Sequence, residues 1–147
     1  MPEEKLYKIA KDPQAPQKLL DILSRHKSYS VRADVAHNGN TSTEILDKMS
    51  DDENFFVRDS VAGNKNTSLK TLEKLSTDSN ANVRVSVAHN ENTPPKILNA
   101  LSDDDNAQVR RFVAVNKNTD TKVFDKLIKD ESYKTACTVA GNPNANG

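Results

Sequence analysis

The sequence predicts an all-α solenoid of about five and a half helix-turn-helix units, and three observations carry that expectation. A 26-residue period runs through the chain: Val31, Val57, Val83 and Val109 recur at that interval, each followed by an arginine (Arg32, Arg58, Arg84, Arg110) and then by a Val-Ala pair (Val35-Ala36, Val61-Ala62, Val87-Ala88, Val113-Ala114). Apolar residues stand three or four apart, as in Val57 and Val61 or in Leu46 and Met49, Leu72 and Leu75, Leu98 and Leu101, and Phe124 and Leu127, which is helical spacing. No stretch alternates apolar and polar residues long enough for a strand, so no β-sheet is expected. A fixed period of this length marks units that cannot bury their own apolar face and must stack on neighbours.

Taken in order, the paired helices are expected at 3–11 and 14–24, 28–37 and 42–50, 53–63 and 68–76, 80–89 and 94–102, and 106–116 and 120–129, with one more at 131–140. The whole chain, 1–147, is expected to form one repeat domain with units at 3–27, 28–52, 53–79, 80–105 and 106–130 and a half-unit at 131–147. Degenerate copies close both ends, with Ile9-Ala10 then Leu20 and Leu23 at the front and Val139-Ala140-Gly141-Asn142 at the back. Between the two helices of a unit lies Asn-x-Asn-Thr, at 38–41, 64–67, 90–93 and 116–119. Thr41, Thr67, Thr93 and Thr119 fall where a helix N-cap belongs, with Glu44 completing a capping box after Thr41 and Pro94 in the first-turn slot after Thr93. Asn38, Asn64, Asn90, Asn116 and Asn142 fall just past the Val-Ala helix, where a residue tolerant of left-handed geometry ends a helix.

Composition bounds the function. Hydrophobic residues make up 35% of the 147 and charged residues 29%, with a mean hydropathy of −0.76, which suits a thin, elongated core. Lys plus Arg and Asp plus Glu both total 21, so no global field draws in nucleic acid or anionic lipid. No signal peptide or long apolar run is present, and the single cysteine, Cys137, leaves no internal disulfide framework, so a cytoplasmic setting and no membrane are expected.

The arginine column points toward the packed side, because at about 100° per residue Arg58 lies between Val61 and Ala62. A buried guanidinium must be paired and hydrogen-bonded. Asp52, Asp78, Asp104 and Asp130 form a second 26-residue column just before each Val-Arg helix, and a structural ladder of arginines bonded to these aspartates or to turn carbonyls is expected. The competing reading offers the arginines to a phosphate backbone. Sixteen asparagines read as turn closers rather than base readers. His37 and His89 occupy equivalent places two units apart, too far to share an ion, and His26 stands in the aspartate column, so no metal site is expected. Cys137 reads as an inert exposed thiol. The clusters Asp51-Asp52-Glu53 and Asp103-Asp104-Asp105 lack calcium-loop spacing and sit where helix N-termini favour negative charge. No nucleophile with its base and no glycine-rich phosphate loop appears, so neither a catalytic residue nor a cofactor is expected.

The positions that the repeat leaves free lie opposite the core of each Val-Arg helix: Ser30, Asp34 and His37; Phe56, Ser60 and Gly63; Asn82, Ser86 and His89; Gln108, Phe112 and Val115. These twelve contain no lysine or arginine, and stacked variable side chains of this kind form the extended surface that repeat proteins use for recognition. Phe56 and Phe112 are candidate anchors, with packing against flanking units as the alternative.

The string Val-Arg-x-x-Val-Ala-x-Asn-x-Asn-Thr-(x)4-Leu-x-x-Leu, read from Val31, Val57 and Val83 and decaying at Val109, resembles the leucine-rich repeat variant family over nearly the whole chain. The resemblance implies a right-handed superhelix of alternating α and 3₁₀ helices, more distantly similar to HEAT-type solenoids. Some relatives carry a cysteine-rich iron–sulfur segment, which one cysteine does not support here. The expected function is a non-catalytic scaffold that binds a protein or peptide through its variable face. The alternative is a nucleic-acid-binding helical repeat in which edge lysines such as Lys65 and Lys117 line a groove. The half-unit at 131–147 also raises end-to-end self-association through an exposed apolar side of 131–140.

Overall fold

The computed structural model describes residues 3–141. Those residues form eleven α-helices and no strand: α1 (Glu3–Lys11), α2 (Gln17–Leu23), α3 (Tyr29–His37), α4 (Thr43–Met49), α5 (Phe55–Gly63), α6 (Leu69–Leu75), α7 (Ala81–His89), α8 (Pro95–Leu101), α9 (Ala107–Val115), α10 (Thr121–Leu127) and α11 (Tyr133–Ala140). Every helix foreseen from the spacing is present, with ends trimmed by up to three residues where capping residues sit outside the helix. The odd-numbered helices pack on one another in a continuous row, α1 to α3 to α5 to α7 to α9 to α11, and α3, α5, α7 and α9 carry Val-Arg-x-x-Val-Ala. The even-numbered helices pack mainly on the odd ones. The row of closest packing consists of small Val and Ala side chains, which allow short interhelical spacing.

The core is a strip repeated unit by unit. Val57, Val61, Ala62 and Leu72 have no accessible surface, nor do Val83, Val87, Ala88 and Leu98 one repeat on. Val139 is buried as well, so that position of α11 packs inward. The side chains of Tyr133, Lys134, Thr135 and Cys137 and all of Asn142 lie outside the described residues, as do the sequence readings that concern them.

The turns depart from expectation in three ways. The even-numbered helices are seven-residue α-helices, not 3₁₀. Their ends are tightened by bonds of 3₁₀ type, such as Asp52 N to Met49 O at 3.1 Å and Asp104 N to Leu101 O at 3.1 Å. Secondly, the N-caps are Ser42, Ser68, Pro94 and Asp120, one residue beyond each threonine, so Pro95 takes the first-turn slot and Glu44 is paired with Ser42. Each threonine is buried and donates its hydroxyl backward, Thr41 to the Val35 carbonyl at 2.6 Å and Thr93 to that of Val87 at 2.6 Å. It thereby satisfies a carbonyl at the end of the preceding helix, which a surface N-cap would not reach.

Thirdly, no described residue has a positive φ, and the asparagines that end the odd helices are extended, Asn90 at φ −62° and ψ 125°. Their value lies in the side chain. The Asn90 Oδ1 accepts from the Asn92 amide at 2.9 Å, closing the turn, while its Nδ2 donates to the Ala62 carbonyl at 2.7 Å and the Asn64 carbonyl at 3.0 Å in the unit before. Asn38, Asn64 and Asn116 repeat this pattern, so a ladder of buried amides stitches each unit to its predecessor. Asp12 stands 26 residues before Asn38 and keeps only the turn-closing half, accepting from the Gln14 amide at 2.8 Å.

Replacing Asn90 with Ala strands the buried Ala62 carbonyl and leaves the Asn64 carbonyl with the Thr67 amide alone, and is expected to destabilise the fold by about 1–3 kcal/mol. Asn99→Ala, at an exposed position of α8, is expected to change stability by less than about 0.5 kcal/mol. Chemical denaturation of the two variants beside the wild type checks this, and equal midpoints contradict it.

Candidate partner-binding face

The arginines point inward, and each makes at least four of the five hydrogen bonds that its N–H groups can give. Arg58 donates Nε and Nη2 to the two carboxylate oxygens of Asp78 at 2.7 and 3.0 Å, and Nη1 to the Asp52 carbonyl at 2.8 Å. Arg32, Arg84 and Arg110 repeat this with Asp52, Asp104 and Asp130. Each internal aspartate is therefore a node. Asp52 receives the Arg32 fork on its carboxylate, the Asn54 amide on Oδ1 and Arg58 on its backbone carbonyl, so consecutive arginines are joined through one residue. The side chains of Arg58 and Asp78 are only 17% and 8% exposed, which leaves no phosphate-facing arginine row. Burial pushes the Asp78 carboxyl up, but the Arg58 fork, the Asn80 amide and the charges of Arg58 and Arg84 outweigh it and hold the group below its usual value. Asp104 is lowered on the same balance with Arg84 and Asn106. The bonded aspartates hold all four guanidinium groups above their ordinary value against the opposing effect of burial.

His26 stands in the aspartate column, its Nδ1 accepting from the Ser28 amide at 3.1 Å and its backbone carbonyl from Arg32 Nη1 at 2.8 Å, so that it lacks only the carboxylate's part. The position 26 residues before Arg32 is Leu6, so no guanidinium requires an acid there. His37 and His89 are exposed, and among the described residues no three His, Cys, Asp or Glu side chains gather as a group able to hold a metal ion. The odd helices begin at a further column that the sequence reading passed over: Asn54, Asn80 and Asn106 accept from the amides of Phe56, Asn82 and Gln108 at 2.8–2.9 Å.

Of the twelve face positions, His37, Phe56, Gly63, Asn82, His89, Gln108 and Val115 are exposed. Ser30, Asp34, Ser60, Ser86 and Phe112 are half-buried, because close packing of the odd helices lets neighbours cover them. Ser60 donates to the Phe56 carbonyl at 2.9 Å, and Ser86 donates to Asp59 one unit away at 2.5 Å. Phe112 packs on the core with its ring edge-on to His89 at 5.2 Å, so it is not a free anchor. Phe56 is 49% exposed and stacks on Tyr29 of the preceding unit at 6.0 Å, with Phe55 beside it at 4.1 Å. Tyr29, together with Ala33 and Asp59, was missed from the sequence; the available signal was that Tyr29 and Phe55 stand 26 residues apart. With Ser30, Asp34, Phe56 and Ser60 these residues line an open cleft between α3 and α5. A second shallow depression lies at the turns, lined by Gly63, Lys65, His89, Asn90, Glu91 and Asn92. Lys117, on the same edge, is paired with Glu91 at 2.8 Å.

Two solved structures share this architecture. One is a leucine-rich repeat variant described as having a novel repetitive structural motif, with 22% identity and a TM-score of 0.70 over 96% of this chain and 61% of that one. The other is the YibA protein of E. coli, with 17% identity and a TM-score of 0.68 over 95% of this chain and 68% of that one. The chain thus spans about three fifths of the leucine-rich repeat variant. No protein-family model and no curated protein sequence matches the chain. At these identities the likeness establishes the fold, a helical repeat solenoid of the leucine-rich repeat variant type.

Asp78→Ala leaves the Arg58 guanidinium buried without its acid and is expected to cost about 3–5 kcal/mol, whereas Arg58→Met/Asp78→Asn, which removes the charge pair and keeps a turn acceptor, recovers most of it. Asp78 and Asp104 have carboxyls lowered on folding, so their contribution is present above the ordinary carboxylate range and is lost as pH falls below about 4. Unfolding measured from pH 7 to pH 3 should show the gap between wild type and Asp78→Ala narrowing with acid; a constant gap contradicts the assignment.

Proposed function

We propose that this protein is a non-catalytic scaffold that binds a protein or peptide through the solvent side of its odd-numbered helices. The observation that carries this is the division of labour among side chains. The repeated polar columns, Arg with Asp and Asn with Thr, are spent on internal bonds, and the side chains that differ from unit to unit are displayed along one continuous helix row. A row locked by ladders holds its displayed groups in fixed relation, which lowers the ordering cost of binding. The fold supports the scaffold reading because its repetition brings like groups to like places, whereas catalysis needs dissimilar groups gathered in one pocket. No described helix is long and apolar enough to cross a membrane, and the helix row is read as an aqueous surface. The absence of Lys and Arg from the twelve face positions, with the column arginines all turned inward, favours protein over nucleic acid.

Affinity capture from the source cell, using wild type beside Tyr29→Ala/Phe56→Ala and each with and without nuclease, tests the reading. Both residues are about half exposed, so the double variant should fold. A protein retained by wild type, lost with the double variant and indifferent to nuclease is the expected result. Recovery that vanishes with nuclease overturns it in favour of nucleic acid.

A further inference from the structure

We infer that the cleft between α3 and α5 receives an arginine side chain from an extended basic peptide, which gives the scaffold reading, on which this rests, a partner of definite chemistry. The cleft joins two kinds of group that together favour a cation. One is the aromatic wall: Tyr29 and Phe56 are 45% and 49% exposed, stand 6.0 Å apart and lie within 20° of parallel, with Phe55 packed beside Phe56. A guanidinium laid on such a ring gains from the ring quadrupole and from planar stacking. The other is negative charge. Asp34 and Asp59 line the same cleft from successive units, and among the described residues Asp59 forms no ion pair; its Oδ1 accepts from the Ser86 hydroxyl.

The cations close by leave that charge largely uncompensated. Arg32 and Arg58 belong to the same two helices but are turned away and held by Asp52 and Asp78. Lys11 reaches Asp34 at 3.5 Å, and its side chain is 66% exposed, so this pair is weak and easily displaced. Ser30 and Ser60 complete a polar rim. A guanidinium brings a positive charge and a fork of parallel N–H donors to a carboxylate, whereas the glutamine amide is neutral and has a single NH2 group, so arginine is selected over glutamine at such a site. A wholly apolar peptide would desolvate Asp34 against a weak lysine pair and Asp59 against a hydroxyl alone, which disfavours it.

The test is a titration of isotope-labelled protein, followed by NMR, with a synthetic nonapeptide alternating arginine with glycine and serine, and with the same peptide carrying glutamine for arginine. The arginine peptide should shift resonances of α3 and α5, including the Tyr29 and Phe56 rings, and bind at least about tenfold more tightly than the glutamine peptide. Asp34→Asn/Asp59→Asn and, separately, Phe56→Ser should each weaken it by about tenfold, with circular dichroism confirming that both variants fold. Equal binding of the two peptides, or undiminished binding by the aspartate variant, overturns the inference. Panning a random displayed peptide library on wild type in parallel separates the two ideas. Selected peptides without basic residues that bind this face overturn the arginine assignment and leave the scaffold standing, whereas failure of both library and arginine peptide to bind overturns both.

Discussion

Asparagine amides tie each of the four units between 28 and 130 to the one before it, with Nδ2 of Asn38, Asn64, Asn90 and Asn116 on buried carbonyls and that of Asn40, Asn66, Asn92 and Asn118 on carbonyls of the preceding turn. The constraint behind this is general: every α-helix ends with backbone carbonyls that have no partner in the helix, and seven- to nine-residue helices have few others. Eleven such ends in a narrow rod would bury many orphaned groups. The chain answers with Nδ2 of Asn38, Asn64, Asn90 and Asn116, each spanning two carbonyls of the preceding unit, and with threonine hydroxyls that take a third. Hydrophobic burial of valine and leucine supplies most of the driving force, but it is non-directional. The amides fix which unit sits where.

The arginine–aspartate ladder adds charge to the same logic. Alone, a buried pair is weak grounds for stability, since desolvation offsets its attraction. Here every guanidinium also bonds the carbonyl of the neighbouring node, so the ladder works as a chain of linked fasteners rather than as isolated bridges. Its carboxylates and guanidiniums stop inside the sequence: Leu6 and Ala136 take the arginine places beyond its two ends, and His26 takes the first aspartate place, keeping the turn-closing bond and the carbonyl that receives Arg32.

Much of this was legible in the sequence, because the period exposes side-chain roles by repetition. Helix positions, the valine and leucine core and the inward aim of Arg58 follow from spacing alone. The bonds of Asn90 did not, since local turn rules describe a residue's own backbone and say nothing of a carbonyl 26 or 28 residues earlier that stacking brings within reach; that of Thr93 did not either, because a threonine beside a turn reads as an N-cap and its hydroxyl instead turns back to a carbonyl six residues earlier. The same blindness explains Phe112 and Tyr29. A helical wheel shows what faces outward on one helix, and the neighbouring unit decides whether His89 covers a ring or a tyrosine extends it.

Because the turns close through side chains and no described residue adopts a left-handed backbone, the crest of each turn places no demand on its occupant. Gly39, Lys65, Glu91 and Lys117 hold that equivalent place, and they span no side chain, both signs of charge and two lengths. Size and charge can therefore change at the crest with no backbone penalty, which gives the molecule a second edge, beside the helix row, along which its units differ.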